Sequence, residues 1–195
     1  MREQAVEVPV LVGSKATPRY GAAALGVAAF VAMMIVGAQV RILLPWSPVP
    51  FTLQTLFLHL AGATLGSGLG AASQAAYLAL GACGLPVLAG GAGGAGVFAG
   101  PTGGYLLGFL VAPIVTGWMI RRQTTNGFWW VALSMSCGSI LVYACGAAWL
   151  AWSLHLAPRQ AFLQGVVPFI AGDLLKTAAA AGLFRRYAGR GGTIF

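Results

Sequence analysis

A run of 79 residues, from Ile42 to Ile120, contains no aspartate, glutamate, lysine or arginine. A water-soluble domain of that length needs charged side chains to solvate its surface, and average domains contain about 25% charged residues. The whole chain contains 7% charged and 58% hydrophobic residues. This composition excludes a soluble globular domain, and it excludes disorder because disordered chains combine low hydrophobicity with high charge. The sequence therefore predicts an integral membrane protein.

Six apolar segments are predicted to cross the membrane, which gives an all-α membrane protein with six transmembrane helices in one bundle. Glycine and proline mark the breaks within the uncharged run, and charged residues mark the later breaks. The second and third segments are short, so they form either two thin spans or one re-entrant hairpin. The predicted segments are 20–40, 51–66, 69–84, 104–120, 127–152 and 161–184.

Basic residues cluster at three places, and each cluster is typical of a cytoplasmic boundary. They lie within 1–19, at 121–122 and at 185–186. Cytoplasmic boundaries must be separated by an even number of crossings, which six spans satisfy. We therefore expect both termini in the cytoplasm, with segments 1–19 and 188–195 flanking a membrane domain at 20–187. The net charge of +8 comes mainly from such clusters beside apolar runs, so it does not indicate nucleic-acid binding.

The predicted loop at 84–104 has an unusual composition. It is rich in glycine, including Gly90 and Gly91, but it also contains leucine, valine and phenylalanine, whereas a flexible linker would be polar. Glycine permits close backbone approach and positive φ, so backbone amides can face a ligand. We interpret the loop as a lid over a ligand at the outer face. The alternative is a compact connector among the lipid headgroups.

The last predicted span contains Asp173 and Lys176, the only oppositely charged pair within a span. At spacing i,i+3 they share a helix face. Each charge at the centre of a bilayer costs about 2.5–3.5 kcal/mol on insertion scales, so such residues are usually functional. We interpret the pair as a polar anchor for a ligand that enters from outside. The alternative is a structural ion pair within the bundle.

Further polar side chains occur near the predicted outer ends of the spans. Thr52 and Gln54 begin the second span, Tyr77 lies on the third, and Tyr105 begins the fourth. We expect Thr52, Gln54 and Tyr105 to cluster beside the charged pair, although each could serve only in contacts between helices. His59 is interpreted as a core residue rather than a metal ligand, because no cysteine or carboxylate lies near it in the sequence.

The sequence contains no motif that indicates an enzyme. There is no P-loop, no Gly-x-Ser-x-Gly nucleophile elbow and no His-Glu-x-x-His zinc motif. A single aspartate in all the spans is a poor basis for hydrolysis or proton pumping. We therefore expect no catalytic residue, no metal and no cofactor, and we expect any ATP hydrolysis to be performed by other subunits.

Small residues form a ridge on the first predicted helix at Ala24, Ala28 and Ala32. Alanine at every fourth position lets another helix approach closely. The ridge either packs inside the bundle or offers a flat surface to another membrane subunit.

Three motifs in order resemble the BioY family, the biotin-specific substrate-binding (S) components of energy-coupling factor transporters. They are Pro-Val-Pro-Phe-Thr-Leu-Gln-Thr-Leu at 48–56, Gly-Leu-Pro-Val-Leu-Ala-Gly-Gly at 84–91 and Gly-Pro-Thr-Gly-Gly-Tyr-Leu-Leu-Gly-Phe at 100–109. The segment 168–176, which ends Gly-Asp-Leu-Leu-Lys, is similar to the family's final-helix motif. The resemblance covers roughly 20–187.

The resemblance implies six helices, cytoplasmic termini and a biotin site near the outer face of a bacterial plasma membrane. It implies three kinds of partner: biotin, a membrane coupling subunit that docks on small residues of the first helix, and ATPase subunits. Asp173 would accept the ureido N–H groups of biotin, and Lys176, Arg41 or the glycine-rich loop would bind its carboxylate. The alternatives are an S component for another vitamin, or a structural or channel protein without a ligand.

Overall fold

The computed structural model describes residues 20–123 and 127–188, and within them the chain is mostly helical. The predicted cytoplasmic segment 1–19 and residues 189–195 of the predicted tail lie outside the described residues. The helices and strands are, in chain order, α1 (Tyr20–Gln39), β1 (Arg41–Ile42), β2 (Phe51–Thr52), α2 (Gln54–Ala82), α3 (Gly96–Ala99), α4 (Gly103–Arg121), α5 (Phe128–Ser153), α6 (Pro158–Gly165) and α7 (Val167–Ala188).

Five of these helices, α1, α2, α4, α5 and α7, are long and apolar enough to cross a membrane. Helix α2 folds back on itself at Gly66, so we call residues 54–65 α2a and residues 67–82 α2b. The amide Nε2 of Gln54 donates to the hydroxyl of Tyr77 over 2.9 Å. In a straight helix these residues would lie about 35 Å apart, so α2a and α2b form a hairpin. In the part of the chain that the structure describes, the five long helices thus comprise six segments, and the predicted all-α membrane fold is confirmed.

A single glycine makes this reversal possible. Gly66 has φ 80° and ψ −179°, a backbone conformation open almost only to glycine. The guanidinium of Arg121 lies where a Cβ at Gly66 would be. Its Nη2 donates to the carbonyl oxygen of Leu65 over 3.4 Å, so a cation lies at the C-terminal end of α2a, where the helix dipole favours it. The predicted break at 66–70 is thus one residue long.

We expect Gly66→Ala to lower the melting temperature of the purified protein, while Gly68→Ala leaves it unchanged or raises it slightly. A non-glycine residue in this conformation costs about 1–3 kcal/mol, and the new methyl group also displaces Arg121. Gly68 is helical and has open space around its Cα. Alanine there gains helix propensity of up to about 1 kcal/mol. Equal melting temperatures for the two variants would contradict this account of the bend.

Two other boundaries differ from the prediction. The predicted span at 161–184 is two helices, α6 and α7, separated at Val166. Pro168 has no amide hydrogen and is favoured in the first turn of a helix, so a new helix begins there. The predicted loop at 84–104 contains the short helix α3 and ends where α4 begins at Gly103.

The interior has two apolar clusters, one around each end of the bundle. The first surrounds Leu58, Tyr77 and Phe109, and the second surrounds Met135 and Phe184. The outside of the bundle is apolar as well: many large aliphatic side chains are exposed, as expected of a surface that faces lipid. Close helix packing depends on small residues such as Gly62, whose Cα lies against the backbone of Pro113.

Candidate ligand-binding site

A cavity of about 310 Å³ lies at one end of the bundle, where α1 ends and α2a begins. This volume is at the lower end of the range for small-molecule sites. Helix α2a has only 12 residues and so rises about 18 Å, less than the roughly 30 Å hydrocarbon core. The non-helical segment 42–53 completes this wall, which is tolerated in membranes where irregular backbone lines a cavity. The polar residues of the lining include Arg41, Thr52, Gln54, Thr55, Thr102, Tyr105, Tyr143, Asp173 and Lys176.

The carboxylate of Asp173 has three partners in the wall of this cavity. It forms an ion pair with Lys176 through Oδ1. The hydroxyl of Thr55 donates to the same oxygen over 2.9 Å, and the hydroxyl of Tyr143 donates to Oδ2. Asp173 is only 6% exposed. A buried carboxylate is tolerated because a counter-charge and two hydroxyl groups replace its water.

The ammonium group of Lys176 is held from three further directions. Its Nζ donates to the backbone carbonyl of Thr52 over 2.7 Å and to Oγ1 of Thr55 over 3.0 Å. It also lies 3.8 Å from the centre of the Phe51 ring, a cation–π contact. The Phe51 ring stacks in parallel with that of Phe169, with centroids 6.2 Å apart. These contacts hold the charged pair, which lies on α7, against the start of α2a.

Of the other predicted site residues, Thr52, Gln54 and Tyr105 line the cavity, and Tyr77 lies behind them. Thr52 donates to Gln54 Oε1 over 3.0 Å, and the Gln54 amide donates to Tyr77, whose hydroxyl donates to the Val87 carbonyl over 3.1 Å. This series of bonds ties α2a to α2b and to the glycine-rich loop. Tyr77 is fully buried and shapes the cavity through Gln54.

Tyr105 joins the cavity to α6. Its hydroxyl donates to the carbonyl oxygen of Gly165 over 2.8 Å, and its ring packs so closely on Gly146 that a Cβ there would overlap it. The tyrosine thus holds the last turn of α6 against α4 and α5.

Gly90 and Gly91 form a tight turn at the edge of the cavity and do not line it. Their φ angles are 73° and 75°, which favour glycine. The turn is closed by Leu88 N donating to Ala92 O over 3.0 Å, and Leu88 itself is 1% exposed and forms part of the wall. The guanidinium of Arg41 lies over Gly90, where a side chain would collide with it. The glycines therefore let the loop approach both the cavity and Arg41.

Thr55 and Tyr143 complete the site and were not among the predicted site residues. Thr55 lies in the first turn of α2a, whereas Thr52 belongs to β2, so helical spacing from Thr52 gives no signal for it. Tyr143 carries a phenol within the membrane-spanning helix α5, and a buried tyrosine hydroxyl usually has a partner. Its partner, Asp173, is 30 residues away, so only the tertiary structure identifies the bond.

His59 and Gln74 are among the buried polar residues that lie outside this cavity. Nε2 of His59 is 2.7 Å from the Ser139 hydroxyl, deeper in the bundle. Gln74 is fully buried and its amide donates to Ser73 over 3.1 Å. In the part of the chain that the structure describes, no three histidine, cysteine or acidic side chains gather as a metal site would require. His59 itself is 1% exposed and therefore lies in the core of the bundle.

The arrangement is suited to binding rather than to chemistry. The cavity has one polar end, with an anionic acceptor and a cationic donor side by side, and largely apolar walls from Leu88, Phe109 and Phe169. A ligand with adjacent donors and acceptors at one end of an apolar body would match both parts.

Comparison with known proteins gives a family and a fold. The BioY family model matches residues 9–191. The chain is 42% identical to the biotin transporter BioY of Thermotoga maritima over 152 residues, which cover 78% of this chain and 87% of that protein. It is 35% identical to the biotin transporter BioY of Lactococcus lactis, with 82% and 86% coverage.

A solved structure gives the same result. The crystal structure of the S-component for biotin from an ECF-type ABC transporter superposes with a TM-score of 0.86 and 30% identity, covering 92% of this chain and 97% of that one. The sequence motifs, the bent six-segment bundle and these similarities agree, and the chain is a member of the BioY family.

Proposed function

We propose that this chain binds biotin in the 310 Å³ cavity and acts as the S component of an energy-coupling factor vitamin importer. The observation that carries the proposal is the buried Asp173–Lys176 pair at the polar end of an otherwise apolar cavity. The names of the relatives and of the superposed structure support it.

The chemistry of biotin complements both parts of the cavity. Its ureido group has two N–H donors and one carbonyl acceptor, which Asp173 and Lys176 would satisfy together because they lie side by side. Its thiophane ring and alkyl chain suit the apolar walls. Because Lys176 is already engaged at the ureido end, we assign the carboxylate to Arg41, which lies beside the glycine-rich loop.

Equilibrium binding of labelled biotin to the purified chain tests the proposal. We expect one saturable site, displaced by unlabelled biotin and not by riboflavin or thiamine. Displacement by another vitamin alone would instead support the same scaffold with a different ligand. Ion conductance in planar bilayers without any saturable ligand would support the channel alternative.

We further propose that the cavity opens to the outside and that both termini are cytoplasmic. Arg121, Arg122, Arg185 and Arg186 lie at the end of the bundle opposite the cavity, as the positive-inside rule requires of a cytoplasmic face. Tryptophans are exposed at both ends, as in the aromatic belts of membrane proteins. They are Trp118 and Trp129 at the arginine-rich end and Trp46 and Trp152 at the cavity end.

Cysteine labelling should therefore report opposite sides for Arg159→Cys and Arg185→Cys in a background without the native cysteines. A membrane-impermeant maleimide added to intact cells should modify the first variant and not the second. Permeabilised cells, in which both should react, are the control. Modification of both variants in intact cells would contradict the orientation.

The glycine-rich loop offers a matched pair of variants for testing the lid. Gly90→Ala and Gly91→Ala introduce similar strain, of about 1 kcal/mol or more, because both positions have positive φ. Only Gly90→Ala also displaces Arg41. We expect both to weaken biotin binding and Gly90→Ala to weaken it several-fold more. Equal affinities would remove Arg41 from the proposed carboxylate site, and unchanged affinity in both would make the loop a connector.

Partners are proposed on the same basis. The family is a transporter family, and the chain has no P-loop. We therefore propose that uphill uptake depends on a membrane coupling subunit and ATPase subunits, in a bacterial plasma membrane. Ala24, Ala28 and Ala32 are all exposed along α1, which packs mainly on α2. This supports the ridge as the docking surface, since internal packing would bury it.

A further inference from the structure

A second cavity, of about 490 Å³, lies between α5 and α7 on the side of the bundle. Nearly all of the lining atoms that face it are apolar. Several of its side chains are strongly exposed, including Ile140 at 62%, Phe162 at 51% and Leu174 at 60%. It is therefore a lateral cleft that is continuous with the lipid-facing surface.

The cleft runs along the membrane-spanning part of both helices. On α7 its lining extends from Val166, just before the helix, to Thr177 near its middle. On α5 it extends from Ser136 to Ala147. Each stretch rises about 16 Å, which is close to half of the roughly 30 Å hydrocarbon core. The cleft thus has the depth of one leaflet of acyl chains.

Small residues on α5 create this space. Ala144 and Ala147 face the cleft where larger side chains would fill it, and Phe162 of α6 closes its outer end. Water is not a suitable occupant, because ordered water needs two to four polar partners and these walls offer few. Hydrocarbon is the medium that surrounds the chain at this depth and matches the apolar walls.

We infer that the cleft binds one acyl chain of a membrane lipid. Tyr143 and Asp173 line both this cleft and the polar cavity. These two side chains, joined by a hydrogen bond, separate the cleft from the cavity. An acyl chain in the cleft packs against the side of Tyr143 and Asp173 that faces away from the polar cavity. The inference does not depend on which ligand the polar cavity takes.

Photolabelling of the full chain tests this site. The protein is reconstituted in phosphatidylcholine vesicles that contain a small fraction of a phosphatidylcholine with a diazirine midway along one acyl chain. Leu174 lines the cleft, whereas its neighbour Leu175 is more exposed, at 74%, and lies outside it. We expect several-fold more label on Leu174 than on Leu175, with saturation as the probe fraction rises.

Filling the cleft should abolish that preference. Ala144→Trp is expected to remove the excess label on Leu174, and Ala147→Phe should do the same if the first variant fails to fold. Ala148→Trp is the matched control, because Ala148 is exposed on the same helix and does not line the cleft. Labelling that follows exposure alone, or that Ala144→Trp leaves unchanged, would overturn the inference. So would disulfide cross-linking of Ala144→Cys to a second protein chain in native membranes.

Discussion

Asp173→Asn is expected to reduce the affinity for biotin by about tenfold to a hundredfold. The substitution keeps the shape of the side chain and removes its charge. A hydrogen bond to a charged group contributes about 1.5–3 kcal/mol, and each 1.4 kcal/mol is a factor of ten in affinity. Titration of labelled biotin against the purified variant measures the effect directly.

The control for this variant is a double variant in which both residues of the pair are neutral. In Asp173→Asn alone, Lys176 remains buried without its counter-charge, which destabilises the fold. The double variant Asp173→Asn with Lys176→Met removes both charges, so we expect it to recover thermal stability and not biotin affinity. If Asp173→Asn is folded and binds biotin as tightly as the natural chain, the binding site lies elsewhere. Recovery of affinity along with stability would assign the pair a purely structural role.

Ala28→Trp should prevent assembly with the coupling subunit and abolish ATP-dependent biotin uptake, while biotin binding by the isolated chain stays within about twofold of normal. Small residues allow two membrane helices to pack at close range, and an indole in the middle of the ridge holds their backbones apart. Ala28 is exposed and far along α1 from the cavity, which the end of α1 adjoins. Co-purification with the tagged coupling subunit and uptake in cells are the two measurements.

Ala148→Trp gives a matched alanine-to-tryptophan change at an exposed position on α5, outside the ridge. It should assemble and transport normally. Normal assembly of Ala28→Trp would show that the ridge faces lipid only. Concentration of biotin by the purified chain alone in liposomes without ATP would contradict the need for partners.

Much of the architecture follows from the composition of the chain and from the glycine, proline and charged residues that interrupt its apolar segments. A long apolar segment without charges is stable in lipid. In lipid the backbone N–H and C=O groups must be hydrogen-bonded within the protein, and a helix does this. For that reason the spans at 20–40, 104–120 and 127–152 agree with α1, α4 and α5 to within one residue at each end. The sequence allows two interpretations of the region that forms α2a and α2b, because the predicted segments 51–66 and 69–84 have 16 residues each, which is short for a bilayer.

Local spacing also predicted that the charged pair of the candidate site would share one helix face. Asp173 and Lys176 are three residues apart on one helix, so their proximity follows from helical geometry. Because a charged side chain is costly to place in lipid, these two residues were expected to have a function. Thr52, Gln54 and Tyr105 were predicted to cluster beside them, and all five line one cavity.

Long-range contacts could only be decided by the tertiary structure. Tyr143 reaches Asp173 from α5, and Thr55 reaches it from 118 residues away. Such pairings depend on how the helices rotate and cross, which hydrophobic patterning does not specify when every face of a helix is apolar. The same lack of amphipathicity hid which face of α1 was exposed and left the cleft between α5 and α7 without a signal in the sequence. By itself the sequence determined that the chain is an all-α membrane protein, the order of its apolar segments and the spacing of the charged pair; the rotation of each helix, and with it the partners of that pair, was set by side-chain packing in three dimensions.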